Sequence, residues 1–421
     1  SHLLNVPAGN MSAFPSDPNH FLGWLDSHSP QTGNRFYGPG SFVPRRLYGD
    51  YLNAILNSAA ESVPSHWFQR ITAQATDLSV NAARVKIKLA SGATVEADRA
   101  VLSFGNFPPL PLFDGASRLA ASGRYIPDPW QPGALDSIAP DATVVLIGTG
   151  LTMVDTAIAL IHKGHRGPLH AISRHGLQPR RHPTPPPVTP IPPFTLAELP
   201  LKARGLLRTV RRRIRYESVS GWQPVIDALR PVTQELWRRA PQAERARFLR
   251  HLQALWDVHR HRLPPEVAVQ IDRAVAAGRL RFRSGRVVAC DLANDCLNVR
   301  IHPRGSSGLT TNSAQYLINC TGPASDYRRI GDPLVRSLLA RGLVRPDPLR
   351  LGLDVDHDLH LIGSDGTPSP RLYAAGPVTK GAAWEITAVP DLRMQAETLA
   401  RHLAAVTHAY SGDEAAASFS S

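Results

Sequence analysis

The residues best placed to do chemistry are Val144-Val145-Leu146-Ile147-Gly148-Thr149-Gly150-Leu151-Thr152-Met153-Val154-Asp155. An apolar strand that runs into Gly-x-Gly and straight on into a helix can hold a diphosphate. Gly148 permits the tight turn and Gly150 lets backbone N–H groups come close. The first helical turn adds free donors and partial positive charge. Gly148, Thr149, Gly150, Leu151, Thr152 and Asp155 are therefore the candidate dinucleotide-binding residues, with Met153 where the fingerprint has Gly or Ala. Twenty-six residues after Gly148, where an NAD site carries an acid for the ribose, the chain has Arg174 in Ser173-Arg174-His175, with Arg180 and Arg181 close behind. Arginine suits a 2′-phosphate, so NADP is expected over NAD. Solvated loop cations are the plainer reading of the same residues.

Other chemistries find less support. Five histidines lie between His162 and His182, but they span a helix end, a strand and a loop, and no metal site is expected. His259 and His261 sit two apart on a predicted helix, so they read as packing and capping residues. Cys290 and Cys296 are too far apart for a CxxC redox pair. Three cysteines in 421 residues make no disulfide framework and point to a reducing, cytoplasmic setting. No run approaches the roughly 20 apolar residues that span a bilayer, so no membrane partner is expected. With 43% apolar and 19% charged residues, the chain can bury a full core.

The elements that must position these residues follow from periodicity. Thr143–Ile147, the Gly turn, an amphipathic helix and a strand at Leu169–Ser173 make a β-turn-α-β unit of a parallel sheet. Strands are predicted at Phe68–Ala73, Arg84–Leu89 and Ala100–Phe104, and again at Tyr316–Cys320. Three apolar strands end in a residue tolerant of positive φ: Gly105, Gly322 and Gly376. A helix is predicted from about Pro390 to His408. Eight prolines between Pro179 and Pro193 read as an extended linker. Beyond it, Leu206, Leu207, Val210 and Ile214, then Phe248, Leu249, Leu252, Leu255 and Trp256, recur at helical spacing. Residues 195–275 are thus a helical insert.

The net charge of +13 concentrates there, with 15 basic and 5 acidic residues between Lys202 and Arg262. The insert lacks an RNA-recognition consensus, paired zinc ligands and interleaved aromatics, so nucleic acid is not the expected partner. A solvated basic face, attracting NADPH phosphates or an acidic substrate, is the reading favoured.

The order of these motifs resembles two-dinucleotide flavoproteins, in which an NAD(P)H domain is inserted into an FAD domain. Leu3-Leu4-Asn5-Val6-Pro7-Ala8-Gly9, Met11-Ser12, Phe42-Val43-Pro44-Arg45, Trp256–Arg262, Asn319-Cys320-Thr321-Gly322-Pro323 and Trp384–Asp391 sharpen the match. Together they resemble the bacterial FAD/NAD(P)-binding protein family, distantly similar to N-hydroxylating flavin monooxygenases.

The resemblance implies an α/β, two-dinucleotide-binding flavoprotein architecture of doubly wound parallel sheets with an inserted helical subdomain. Its domains would be 1–135, the first part of an FAD-binding domain; 136–322, an NAD(P)-binding domain interrupted by 195–275; and 323–421, the second part of the FAD domain. It further implies a βαβ unit with GxGxxG ahead of His2, so that this sequence starts inside its FAD domain and lacks that unit's grip on the FAD pyrophosphate. Asn5, Val6, Pro7 and Met11 would lie beside the flavin. Gly376, Pro377, Trp384 and the segment to Asp391 would face its other side, with the helix near Pro390 directed at its O2 edge. The usual Gly-Asp of that motif reads Gly376-Pro377.

The function expected is a monooxygenase-like, FAD-dependent oxidoreductase in which NADPH reduces the flavin, with a small-molecule substrate and molecular oxygen as partners. The alternative is a non-enzymatic NAD(P)-binding regulatory or scaffold protein. The sequence identifies no general base, no substrate and no oligomeric state.

Overall fold

The computed structural model describes residues 2–28, 36–184, 191–216 and 221–417. Residues 185–190 of the expected linker lie outside the described residues. The chain divides into two compact units. Unit 1 is Ser1–Asn5 with Phe107–Ala324, and unit 2 is Val6–Asn106 with Ser325–Ser421.

In chain order, unit 2 begins with α1 (His20–Ser27), α2 (Arg45–Glu61), β1 (Ala75–Val80), β2 (Val85–Leu89), β3 (Thr94–Ala97) and β4 (Ala100–Leu102). Unit 1 follows with α3 (Ala116–Ala121), β5 (Tyr125–Ile126), β6 (Val144–Ile147), α4 (Leu151–His162) and β7 (Leu169–Ser173). The insert helices are α5 (Ala203–Tyr216), α6 (Gln223–Asp227), α7 (Arg230–Arg239), α8 (Gln242–His251) and α9 (Gln253–Arg260). Unit 1 closes with α10 (Pro265–Ala276), β8 (Leu280–Ala293), β9 (Cys296–Pro303), β10 (Thr310–Ala314) and β11 (Tyr316–Asn319). Unit 2 ends with α11 (Pro333–Ala340), β12 (His360–Ile362), β13 (Pro368–Ala374) and α12 (Val389–Ala417).

The unit 1 sheet runs β10-β9-β8-β7-β6-β11-β5, parallel from β8 to β5. All four residues of β6 are buried, as expected of a strand covered on both faces. One face packs α4 and α10 through Met153, Val154, Ala157, Val267 and Ile271. The other packs α3 and the antiparallel β8–β10 extension through Leu119, Val145, Val287 and Leu297. A register shift between Val287 and Ala289 bends β8, which joins the parallel sheet at its start and the hairpin at its end.

The insert has its own core of Phe194, Val210, Val225, Ile226 and Leu229, joined by Leu206, Ile214 and Trp256 from the expected seams. Two expectations are corrected. The helix over Phe248–Trp256 is broken at Leu252, where φ is −117° and α8 gives way to α9. The last helix, α10, belongs to the core of the sheet rather than to that of the insert.

Unit 2 holds a sheet ordered β12-β13-β4, with β13 and β4 parallel, and an antiparallel sheet β1-β2-β3. The strand expected at Phe68–Ala73 does not form. Pairing of β1 with β2 ends at Ala75↔Leu89, so the residues before it have no partner strand, and Phe68 and Ile71 stay exposed. Asp77 on β1 accepts from Arg341 (2.7 Å) and from Ser337 of α11. The Ser337 hydroxyl is the main cause holding the Asp77 carboxyl below its usual value. The final helix begins at Val389, one residue before the expected start.

Candidate functional site

Gly148 and Gly150 do different work in the turn after β6. Gly148 has φ +111°, and a Cβ there would press into the Cys320 carbonyl and lie 2.8 Å from its carbon. Its N–H donates to Ile172 O on β7 at 2.7 Å, and the Cys320 N–H donates to Ile147 O at 2.8 Å. Gly148 is thus what lets the turn pass between two neighbouring parallel strands. Gly150 is extended (φ −81°, ψ −165°), and nothing lies within 4 Å of where its Cβ would be. As the N-cap of α4 it has no side chain to occupy the first-turn N–H groups, which have no partner within the helix. Open space above uncapped donors is the geometry of an anion cradle.

The rest of the motif braces this turn. The Thr149 hydroxyl donates to Leu177 O at 2.5 Å and lies 2.8 Å from Ser173 Oγ. Its one proton is used by Leu177, so Ser173 donates across the second contact. Thr149 therefore ties the turn to the end of β7 rather than facing the open space. Leu151 packs partly against the core, Thr152 O accepts from Thr156, and Asp155 is buried, its carbonyl 3.3 Å from His2 Nε2. Met153, fully buried, fills the helix–sheet contact that a glycine would leave closer.

Arg174 follows β7 directly and is exposed. Beside it stands a residue the sequence reading did not single out. Arg304, in the hairpin after β9, donates through Nη1 to His175 Nδ1 at 3.1 Å. Burial, then the charges of Arg304 and Arg174, hold the His175 imidazole below its usual value. Gly322, at φ +87°, ends the strand beside β6, and the Asn5 carbonyl accepts from His182 Nε2 at 3.0 Å.

The remaining candidates lie in unit 2. Ala8 and Gly9, just after Val6 and Pro7, donate backbone N–H groups to Ser41 O and Pro39 O, each at 2.9 Å. Met11 is a core side chain, 2% exposed. Parallel pairing of Ala374 with Leu102 brings the turns at Gly105 (φ +68°) and Gly376 (φ +84°) to the same end of adjacent strands. Gly105 has open space where a Cβ would sit. The Gly376 N–H is already used, donating to Gln395 Oε1 at 2.7 Å, and Gln395 Nε2 donates to Thr379 Oγ1 at 2.9 Å. Gln395 thus locks Gly376-Pro377 onto α12, a constraint with no local signal in the sequence. Trp384 is buried with Lys380 over its ring at 5.0 Å, and Pro390 falls in the first turn of α12 beside Asp391. Among the described residues of unit 2, no α-helix of eight residues or more starts on a glycine turn directly after a strand. Neither turn opens directly into an α-helix, so neither forms a diphosphate cradle of the kind at Gly150.

The histidines between His162 and His182 turn to separate partners: Gln270, Ala142 O, Arg304 and Asn5 O for four of them. His259 donates through Nδ1 to Leu255 O at 2.7 Å and packs edge-on against Trp222, while His261 caps α9. Among the described residues no group of three His, Cys, Asp or Glu side chains is placed to hold a metal ion. All three cysteines are free thiols. Within the insert, Arg238 and Arg239 pair with Glu235, Arg247 pairs with Glu244, and the buried Arg262 is held by both Asp227 oxygens and Trp222.

A family model described as FAD-NAD(P)-binding matches residues 1–107. No curated protein matches the chain. Among solved structures, ornithine hydroxylase from Pseudomonas aeruginosa is 17% identical, with a TM-score of 0.60 over 96% of this chain and 86% of that one. The ornithine N-hydroxylase of Kutzneria sp. 744 is 16% identical, with a TM-score of 0.60 over 96% and 88%. L-lysine 6-monooxygenase from Pseudomonas syringae is 14% identical, with a TM-score of 0.61 over 95% and 86%. The chain has the fold of these proteins: α/β, with two-dinucleotide flavoprotein architecture.

Proposed function

We propose that the protein is an FAD-dependent oxidoreductase that draws reducing power from NADPH and acts on a small molecule in a monooxygenase-like reaction. The observation that carries this reading is the uncapped cradle at Gly150, set beside Arg174 at the end of the next strand. Fold likeness to flavin monooxygenases over nearly the whole chain supports it, as does the family model over residues 1–107.

In this reading Gly148 shapes the turn, and the N–H groups of Leu151 and Thr152 receive the NADPH diphosphate. Thr149 holds the turn to β7, Asp155 belongs to the buried face of α4, and Arg174 receives the 2′-phosphate. Gly105, Gly376, Pro377 and Trp384 of unit 2, with Val6, Pro7, Met11 and Pro390, are proposed for the FAD side; Asn5 and Gly322 belong to unit 1. When bound, the two cofactors supply hydride transfer and the reaction with oxygen. The solved neighbours named above are enzymes of ornithine and lysine, so primary amines are the first substrate class to test. Among the described residues no helix is long and apolar enough to cross a membrane. With free, partly buried thiols, a cytoplasmic location is proposed.

The test is loss of NADPH absorbance and uptake of oxygen by the purified chain, with and without added FAD. FAD-dependent consumption is expected, and it should rise with the right amine. NADPH binding without consumption at any FAD concentration would replace this reading with that of a regulatory NADP-binding protein.

A further inference from the structure

The ends of β7 and β9 meet part-way along β8 beside the cradle, and sequence distance hides the meeting. Ser173, the last residue of β7, pairs with Ser284 on β8, and Ser284 O accepts from the backbone N–H of Arg304 at 3.2 Å. The loop after β7 folds back at once: the Gly176 N–H donates to Ser173 Oγ at 3.0 Å. Gly176 has φ +63°, and a Cβ there would stand 3.1 Å from Ser284 N. That loop is therefore pressed against β8 at the last residue that pairs with β7, and the Arg304 side chain reaches His175 there.

Three features of this corner fit a phosphate monoester. Arg174 and Arg304 have no acidic partner among the described residues, yet both act on the same imidazole. Holding two cations near one histidine is unfavourable at rest, and an anion between them reverses the sign. His175 accepts from Arg304 at Nδ1, so the neutral ring carries its proton on Nε2 and presents a third donor. The corner is also linked to the cradle, because the Ser173 hydroxyl that accepts from Gly176 lies 2.8 Å from the Thr149 hydroxyl of the glycine turn. A ribose with a free 2′-hydroxyl calls for a carboxylate acceptor, and Ser173-Arg174-His175-Gly176 contains none.

We infer that Arg304 is a second specificity residue for the 2′-phosphate, closing a pocket made by Arg174, His175 and Arg304. The inference rests on the reading that unit 1 binds NADPH. It goes further in naming a hairpin residue, 129 positions from His175, that selects between the two nicotinamide dinucleotides.

The test is calorimetric titration of the full chain with 2′,5′-ADP and with 5′-AMP, which differ by that one phosphate. Arg304→Gln should weaken 2′,5′-ADP by roughly 10- to 100-fold, the range for losing one charge-assisted contact. It should leave 5′-AMP within about twofold. Arg304→Lys should fall between, since an ammonium keeps the charge and loses the fork. Arg304 is exposed, so the melting temperature should not move. Equal losses for both nucleotides, or no loss with Arg304→Gln, would overturn the inference while leaving NADPH binding intact. A wild type that binds neither 2′,5′-ADP nor NADP would overturn it together with the reading beneath it.

Discussion

Replacing each glycine of the turn by alanine separates its architectural role from its binding role. At Gly148 a methyl meets the Cys320 backbone, and φ +111° is unfavourable for any side chain. Backbone strain costs about 1–3 kcal/mol and the forced overpacking about as much again, so Gly148→Ala should destabilise unit 1 by roughly 4 kcal/mol. For a domain of this size that is a fall of roughly 8–16 °C in melting temperature. Gly150→Ala should spare the fold. Its backbone is extended and its Cβ position open, so a gain of about 0.4–1 kcal/mol from a stiffer unfolded chain is offset by the poorer N-cap, and stability should change by less than about 1 kcal/mol. The same methyl occupies the cradle and displaces at least one charge-assisted N–H bond, about 1.5–3 kcal/mol, or roughly 10- to 150-fold in affinity. Thermal melting of the free chains and calorimetry with NADP, run on both variants, read the two effects independently. A Gly150→Ala chain that binds NADP as tightly as the wild type would refute the assignment of Gly150 to the ligand.

Acid should weaken unit 1 over a defined window. Burial holds the His165, His170 and His182 imidazoles below the ordinary 6.5, so each is neutral when folded and takes its proton more readily when unfolded. Their contribution is complete above about pH 6.5 and is lost as the pH falls through the lower folded values. The melting temperature should drop between pH 7.5 and 5, less steeply in a chain with all three changed to glutamine, and an equal slope in both would count against the argument. Thiol labelling should be selective as well. Burial pushes Cys290 up to about 11 and Cys320 to about 12, whereas Cys296 is half-buried. Iodoacetamide at pH 8 should therefore modify Cys296 first by mass spectrometry, and early labelling of Cys320 would contradict its burial.

What could be read from the sequence was local. The strand Leu169–Ser173 has the bounds expected of it, and β6, its glycine turn and α4 follow from an apolar run, two glycines and a 3.6 period. The elements misread are those whose state depends on a distant partner. Phe68–Ala73 has strand-like residues and nothing to pair with, whereas Thr94–Ala97 is short and polar yet forms β3 because β2 lies alongside. Periodicity marks α10 as amphipathic without saying which core its apolar stripe will enter. The site divides the same way. Gly148, Gly150 and Arg174 stand out as candidates by spacing, while the Arg304–His175 and Gly376–Gln395 bonds come from register and helix docking that no short window contains.

The interruption of unit 2 by unit 1 also sets a timetable for synthesis. Strand β4 pairs with β13, about 270 residues further along the chain. At roughly 5–20 residues per second, β4 would leave the ribosome between about 14 and 55 s before its partner strand exists. Residues 107–324 are contiguous and can collapse in that interval, so the dinucleotide fold is finished while the edge of β4 is still open. Until β13 arrives, that edge offers unpaired backbone to any passing strand, and guarding it is work for a chaperone.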